Sequence, residues 1–290
     1  MSPARWRAET VALVHDTRRL LVGRDLGAAA ATLTYYSGIA IVPWLLLGLW
    51  SISWWYGADG AEERLLQLQV LVPPDMGGRE PFALLIAAGT HLGLVGALVS
   101  LFPASFYGEG LRRAGLALAP QPDHFTGWRG RALVMAPVVL LPTLTWAVFA
   151  SGSQLTSLTP EGGGGGPLDL VVRIYLTLNV VWVVISLPLT WAFRFVVPGR
   201  PRWWVATAGG FTTGAFLAGF LQGFLLFLSI PIDVGIPFGG LTVVGGVVAV
   251  GLWLWVLHAV LLVGWVATSA LERRVADTRH TEWGAPVSTP

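Results

Sequence analysis

Six long runs of apolar residues, separated by short stretches rich in Arg, Gly and Pro, dominate the pattern of the chain. They cover approximately residues 27–50, 82–101, 132–150, 170–193, 204–229 and 241–268. A helix that crosses about 30 Å of hydrocarbon needs about 20 mostly apolar residues at a rise of about 1.5 Å each. Each run is about that long. The pattern therefore predicts an all-α, polytopic membrane protein, with six transmembrane helices in one domain spanning 27–268. A 26-residue segment precedes it, and residues 269–290 follow as a flexible tail.

Composition supports this reading and narrows the function classes. Hydrophobic residues make up 54% of the 290 and charged residues only 12%, about half the charged share of soluble domains. A water-soluble globule of this size would lack the polar atoms to cover its surface, which excludes an ordinary soluble enzyme, a disordered tail and a nucleic-acid-binding domain. Cysteine is absent, which excludes disulfides, thiol catalysis and thiolate metal sites.

The net charge of +2 is small, but its placement is informative. All 18 basic residues are Arg. Cytoplasmic loops retain positive charge, and placing both termini inside puts Arg5, Arg7, Arg18, Arg19, Arg24, Arg112, Arg113, Arg129, Arg131, Arg194, Arg200, Arg202, Arg273, Arg274 and Arg279 on the inner side. Only Arg64, Arg79 and Arg173 are left outside. The sequence thus predicts that both termini are cytoplasmic. Tryptophan favours the headgroup region, and Trp50, Trp54, Trp55 and Trp146 fall near outer ends while Trp191, Trp203, Trp204 and Trp265 fall near inner ends. The outer connections carry Pro73, Pro74, Gly77, Gly78 and Pro81, and then Gly162 to Pro167, too little apolar content for an external domain. The longest inner loop is expected over 102–131, where Phe106 to Leu118 either lies along the inner surface or forms a solvated helical turn.

Polar side chains at bilayer depth are costly unless partnered. Those nearest the expected span centres are His91, Asn179, Gln222 and His258. Gln222 follows the small residues Gly214, Ala215, Ala218 and Gly219 at helical spacing, which places it against another helix. His91 and His258 admit two readings, a proton relay or separate packing histidines. In the fourth span Tyr175, Asn179, Trp182, Ser186 and Thr190 recur at steps of four, three, four and four and share one face. That face either lines a cavity for an amphiphile or bonds a neighbouring helix. Pro43, Pro137, Pro142 and Pro188 interrupt helical bonding within the spans.

Several segments carry a family pattern in order. The first span reads Ala28-Ala29-Ala30-Ala31-Thr32-Leu33-Thr34-Tyr35-Tyr36, with Pro43 seven residues after the second Tyr. Pro198 is followed by Arg200, Arg202, Trp204, Gly210 and Ala215, and Trp253 by Gly264 eleven residues on. Over roughly residues 15–275 this resembles the YihY/BrkB family of bacterial inner-membrane proteins. The chain departs from that pattern at Ala40, in place of Ser, at Phe238-Gly239, in place of Tyr-Gly, and in the last helix, where Gly264, Trp265, Val266 and Thr268 stand for Gly-Ala-Glu and then Asn. Any mechanism that needs those hydroxyl, carboxylate or amide groups does not transfer. The resemblance implies six helices with both ends cytoplasmic, an inner-membrane location and a link to serum resistance or envelope lipid export. An older ribonuclease assignment of the family would need clustered metal ligands, whereas Glu9, Asp16, Asp25, Glu109, Asp123, Glu272, Asp277 and Glu282 are scattered in the sequence, as are His15, His124 and His280.

The expectation is therefore a non-enzymatic transporter or flippase-like exporter of an envelope lipid or other amphiphile, with no metal and no cofactor. Its candidate path residues are Tyr175, Asn179, Trp182, Ser186, Gln222, His91 and His258. The expected partners are membrane lipids, with anionic headgroups drawn to the Arg-bearing loops, and no nucleic acid. The competing expectation is a scaffold that engages partners through Arg112, Arg113, Arg129 and Arg131. The chain contains no GxxxxGK[ST] nucleotide-binding loop.

Overall fold

A computed structural model of the chain describes residues 3–71, 78–124, 126–156, 167–229 and 234–283. Their regular elements are helical. In chain order these are α1 (Pro3–Leu21), α2 (Leu26–Tyr56), α3 (Ala58–Leu66), α4 (Arg79–Thr90), α5 (Gly93–Leu118), α6 (Thr126–Met135), α7 (Leu141–Thr156), α8 (Pro167–Trp191), α9 (Trp203–Ser229) and α10 (Thr242–Trp283). Among the described residues six helical segments are long and apolar enough to cross a membrane: Leu26–Tyr56, Gly93–Leu118, Thr126–Ala147, Tyr175–Val196, Trp203–Gly223 and Thr242–Asp277. Large apolar side chains such as Leu94, Val95, Leu98, Val99 and Phe102 are exposed along one side of α5. Lipid accepts such a surface, whereas water penalises it.

Three sequence expectations are corrected. The second span runs over Gly93–Leu118 and not over 82–101, because the chain breaks at Gly93, which has a left-handed φ of 67°. Residues 106–118 are accordingly neither a surface-lying segment nor a loop. They continue α5 into the bundle with Gly108, Leu111, Ala114 and Leu118 buried. Residues 269–283 are not a flexible tail either, since α10 stays helical to Trp283. At about 1.5 Å per residue its 42 residues extend about 63 Å, roughly twice the hydrocarbon thickness. The connections at 72–77 and 162–166, and residues 284–290, lie outside the described residues.

The proline positions explain the bends. Pro137 stands in a 3-10 turn, Ala136–Leu140, that joins α6 to α7, so the expected third span is two helical pieces. Pro43 and Pro188 lie inside α2 and α8, and α8 continues into a single buried π-helical turn, Ala192–Val196. Asp25 starts α2 by accepting from the Ala28 N–H at 2.8 Å.

Packing is closest between α2 and α5, α8 and α9, α5 and α6, and α9 and α10. The main core joins Ala30 and Leu33 of α2, Leu111 and Ala114 of α5, Phe193 and Val196 of the π turn, and Leu262 and Trp265 of α10. Arg274 pairs with Glu9 and Asp16 at 3.6 and 3.4 Å, and Arg202 with Glu272 at 3.3 Å. These contacts gather α1, the α8–α9 connection and the last turns of α10 at one Arg-rich end of the bundle. Gly115 against Pro198 brings the end of α5 there as well.

Candidate functional site

An apolar cavity of about 510 Å³ opens between the helices. Its walls are Ser37, Ala40 and Trp44 on α2, Tyr107 and Leu111 on α5, Ile185, Pro188 and Leu189 on α8, and Pro137 at the α6–α7 bend. Two of the walls carry proline, Pro137 in the 3-10 turn and Pro188 within α8, where each removes a helical N–H donor, and the small Ser37 and Ala40 face the space. Two indoles fix the rim: Trp44 Nε1 donates to the Ala104 carbonyl at 3.0 Å, and Trp191 Nε1 to the Leu133 carbonyl at 2.8 Å. Higher on α2, Ser51 and Thr145 share a 2.8 Å hydrogen bond that ties α2 to α7. A volume of this size lies within the range of small-molecule sites.

The polar stripe on α8 does not line this cavity. Trp182 Nε1 donates to the Phe211 carbonyl at 2.8 Å, while Ser186 and Thr190 bond back to the Trp182 and Ser186 carbonyls at 2.7 and 2.8 Å. Ser186 sits against Gly214, and Thr190 against Gly210, so closely that a methyl group on either glycine would overlap the hydroxyl. The stripe is thus the α8–α9 seam, and the cavity lies beside it, against a different face of α8, with Leu217 of α9 and Leu261 of α10 also in its wall. Toward the far end of the helix Tyr175 is exposed, and Asn179 Nδ2 donates to the Tyr175 carbonyl at 2.7 Å.

The seam repeats on the next helix. Thr213 of α9 sits against Gly264 of α10, and Thr268 of α10 against Gly209 of α9. Hydroxyl and glycine alternate across both faces of α9, which lets three backbones approach one another. The row of close approach is Gly210, Gly214 and Ala218, while Ala215 and Gly219 are exposed, so the packed row is narrower than the sequence predicts. Gln222 is half-buried on α9 and does not line the cavity.

The two histidines occupy separate clusters, which removes the proton relay. His91 ends α4, half exposed, with Nε2 2.9 Å from Glu62 and 3.7 Å from Asp59. The chain break at Gly93 moves it from the expected span centre to a helix end. His258 is buried on α10, its Nδ1 2.9 Å from Thr34 Oγ1 and its ring 6.0 Å from that of Tyr107.

The resemblance positions are mainly points of close contact. Tyr36 points its hydroxyl at Glu109 Oε1, 3.4 Å away, and the exposed Tyr35 ring meets it edge-on. Pro198 fits against Gly115, Gly210 against Thr190, Gly264 against Thr213, and Trp253 lies beside Gly223.

Sequence reasoning missed a charged floor at the Arg-rich end. Glu109, buried on α5, holds Arg113 at 2.8 Å and Arg131 at 2.7 Å, and the Arg131 guanidinium lies 3.6 Å from the centre of the Phe106 ring. Arg112 is buried too, with Nε 2.6 Å from Asp123 and Nη1 donating to the Val196 carbonyl at 2.7 Å. Asp123 also accepts from Thr126 at 3.3 Å and faces Arg129 at 3.6 Å. The hydrogen bond from Arg112 holds the Asp123 carboxyl below the usual carboxylate range, helped by the charges of Arg112 and Arg129 and opposed by burial. A signal was present in the sequence. Glu109 and Arg113 are four apart, and Gly108, Gly110, Ala114 and Gly115 flank them at spacings that suit a packed helix better than a loop.

Comparison with known proteins adds one match. A family model described as "Virulence factor BrkB" matches residues 19–287. No curated protein and no solved structure matches the chain.

Proposed function

The chain belongs to the BrkB virulence factor family, and from that premise we propose that it carries an envelope lipid or a similar amphiphile across the bacterial inner membrane. Six apolar helices and the family make it a multi-pass membrane protein. The observation that carries the reading is the 510 Å³ apolar cavity between the helices, sized and lined for the apolar part of an amphiphile. In this reading both termini face the cytoplasm, which the Arg distribution supports. Contacts that gather α1 and the end of α10 at one end of the bundle are consistent with it. The protein acts without catalysis of its own, and with no nucleotide-binding loop in the chain its energy comes from a gradient, a partner or consumption of the substrate.

A scaffold that uses Arg112, Arg113, Arg129 and Arg131 has weaker support, because those side chains face Asp123 or Glu109 within the chain. Reconstitution tests the transport reading directly. The purified protein in vesicles should speed transbilayer movement of a fluorescent short-chain phospholipid. Filling the cavity with the Ala40→Leu, Ile185→Trp double variant should return the rate to that of empty vesicles. Equal rates for wild type and filled variant would refute the reading.

A further inference from the structure

A second space lies beside the apolar one at the Arg-rich end. It is a polar crevice of about 240 Å³ lined by Arg112, Gln121, Arg129, Pro198 and Arg200, with no carboxylate in its lining. It adjoins the apolar cavity residue by residue: Leu111 and Val196 line the cavity, while the following residues, Arg112 and Val197, line the crevice. The volume equals about eight waters at their liquid share of about 30 Å³. That is room for a compact anionic headgroup.

The charges there are not balanced. Arg112 pairs with Asp123 Oδ2 and donates to the Val196 carbonyl. The other oxygen of Asp123 lies 3.6 Å from the half-exposed Arg129, so one carboxylate serves two guanidinium groups. Arg200 is exposed and, among the described residues, has no ion-pair partner. It also holds a left-handed backbone with φ 51°, between Gly199 and Pro201. An L-residue adopts that conformation at a cost that glycine avoids, so the chain keeps a guanidinium here against its backbone preference. On the other side of the Pro198–Gly199 turn an adjoining crevice of about 220 Å³ is lined by Trp265, Ser269, Glu272 and Arg273, and Glu272 is engaged by Arg202. The Trp265 indole N–H is fully buried with no acceptor. The excess positive charge is therefore on the Arg129 and Arg200 side of the turn.

We propose that this crevice binds a phosphoryl group, held by Arg129 and Arg200 over the fixed positive charge of Arg112. Planar guanidinium groups match phosphate oxygens two at a time. The shared chemistry is a phosphate ester, as the headgroup of an anionic amphiphile whose apolar part occupies the neighbouring cavity, or as a free phosphate. The amphiphile form rests on the transport reading, whereas the phosphoryl site stands without it.

The test uses the full chain in non-ionic detergent, titrated by calorimetry with dioctanoyl phosphatidic acid, dioctanoyl phosphatidylcholine and inorganic phosphate. Phosphatidic acid should bind saturably, more tightly than phosphatidylcholine, and more weakly as salt rises. Removing both charges with Arg129→Gln and Arg200→Gln should weaken it about tenfold or more. Arg200→Gly alone removes the charge while relaxing the backbone, so weaker binding in that variant does not come from misfolding. Inorganic phosphate that competes with phosphatidic acid identifies the phosphoryl group as the recognised part, and equal affinity for the two assigns the site to a free phosphate. In the Ala40→Leu, Ile185→Trp variant, loss of the lipid's advantage over phosphate places its chains in the cavity. An unchanged advantage there rejects the cavity reading but not the crevice. No saturable binding of either phosphate probe, or binding untouched by both Arg200→Gly and the double variant, overturns the proposal.

Discussion

The two faces of α8 show how differently one membrane helix can be used. Toward α9 it presents Trp182, Ser186 and Thr190, which meet a glycine row with no space between the helices. Toward α2 and α5 it presents Ile185, Pro188 and Leu189, which line a 510 Å³ cavity. The polar face is the closed one and the apolar face is the open one. In lipid there is no hydrophobic force to hold two helices together, so close packing and hydrogen bonds do that work. Polarity on such a helix therefore marks where it touches its neighbour. The cavity lies instead beside the apolar face that carries Pro188, next to Pro137 at the α6–α7 turn.

The contrast can be broken most severely at the closed face. Gly214→Leu drives a side chain into Ser186, and overpacking of this kind costs about 1–3 kcal/mol or more. The variant should lose yield and unfold at a distinctly lower temperature in detergent. A milder change at the same face is Thr190→Val, which deletes the bond to the Ser186 carbonyl and should cost about 1 kcal/mol or less in thermal unfolding. If Ile185→Trp, on the open face, proved as damaging as Gly214→Leu, the two faces would not differ as described.

Asp123 lies outside both faces and provides a control. Its carboxyl is depressed in the folded state, so the stability it contributes is complete above its ordinary value of about 3.9 and is lost as pH falls toward the lower folded value. Thermal unfolding followed downward from about pH 5 should show a loss of stability in the wild type that is smaller in Asp123→Asn. The smallest expected effect is at Asn179, which bonds only the Tyr175 carbonyl of its own helix. Asn179→Leu should change stability by no more than about 0.5 kcal/mol and leave vesicle transport intact.

How much of this was legible in the sequence follows from the range of each interaction. Runs of about 20 apolar residues give six membrane helices, because the cost of exposing backbone in hydrocarbon acts locally on each segment. The second span was misplaced because Glu109, Arg112 and Arg113 look like the edge of a loop until Arg131 and Asp123, distant in sequence, neutralise them. His91 was misread for the same reason, since its membrane depth depended on that span. On α8 the four-residue spacing correctly found a continuous face, but Ser186, Thr190 and Asn179 are satisfied by carbonyls four residues back. Their partners were too near to reveal a cavity. The cavity itself needs α2, α5, α8 and the α6–α7 bend together, and no single stretch of sequence encodes that meeting.

The central claim is that the open face of α8 holds an amphiphile. Native mass spectrometry of the protein released from mild detergent tests it most directly, comparing wild type with the Ala40→Leu, Ile185→Trp variant. The account predicts a bound amphiphile enriched over its share of the membrane in the wild type and absent from the filled variant. Bulk phospholipid in membrane proportions on both proteins would contradict it.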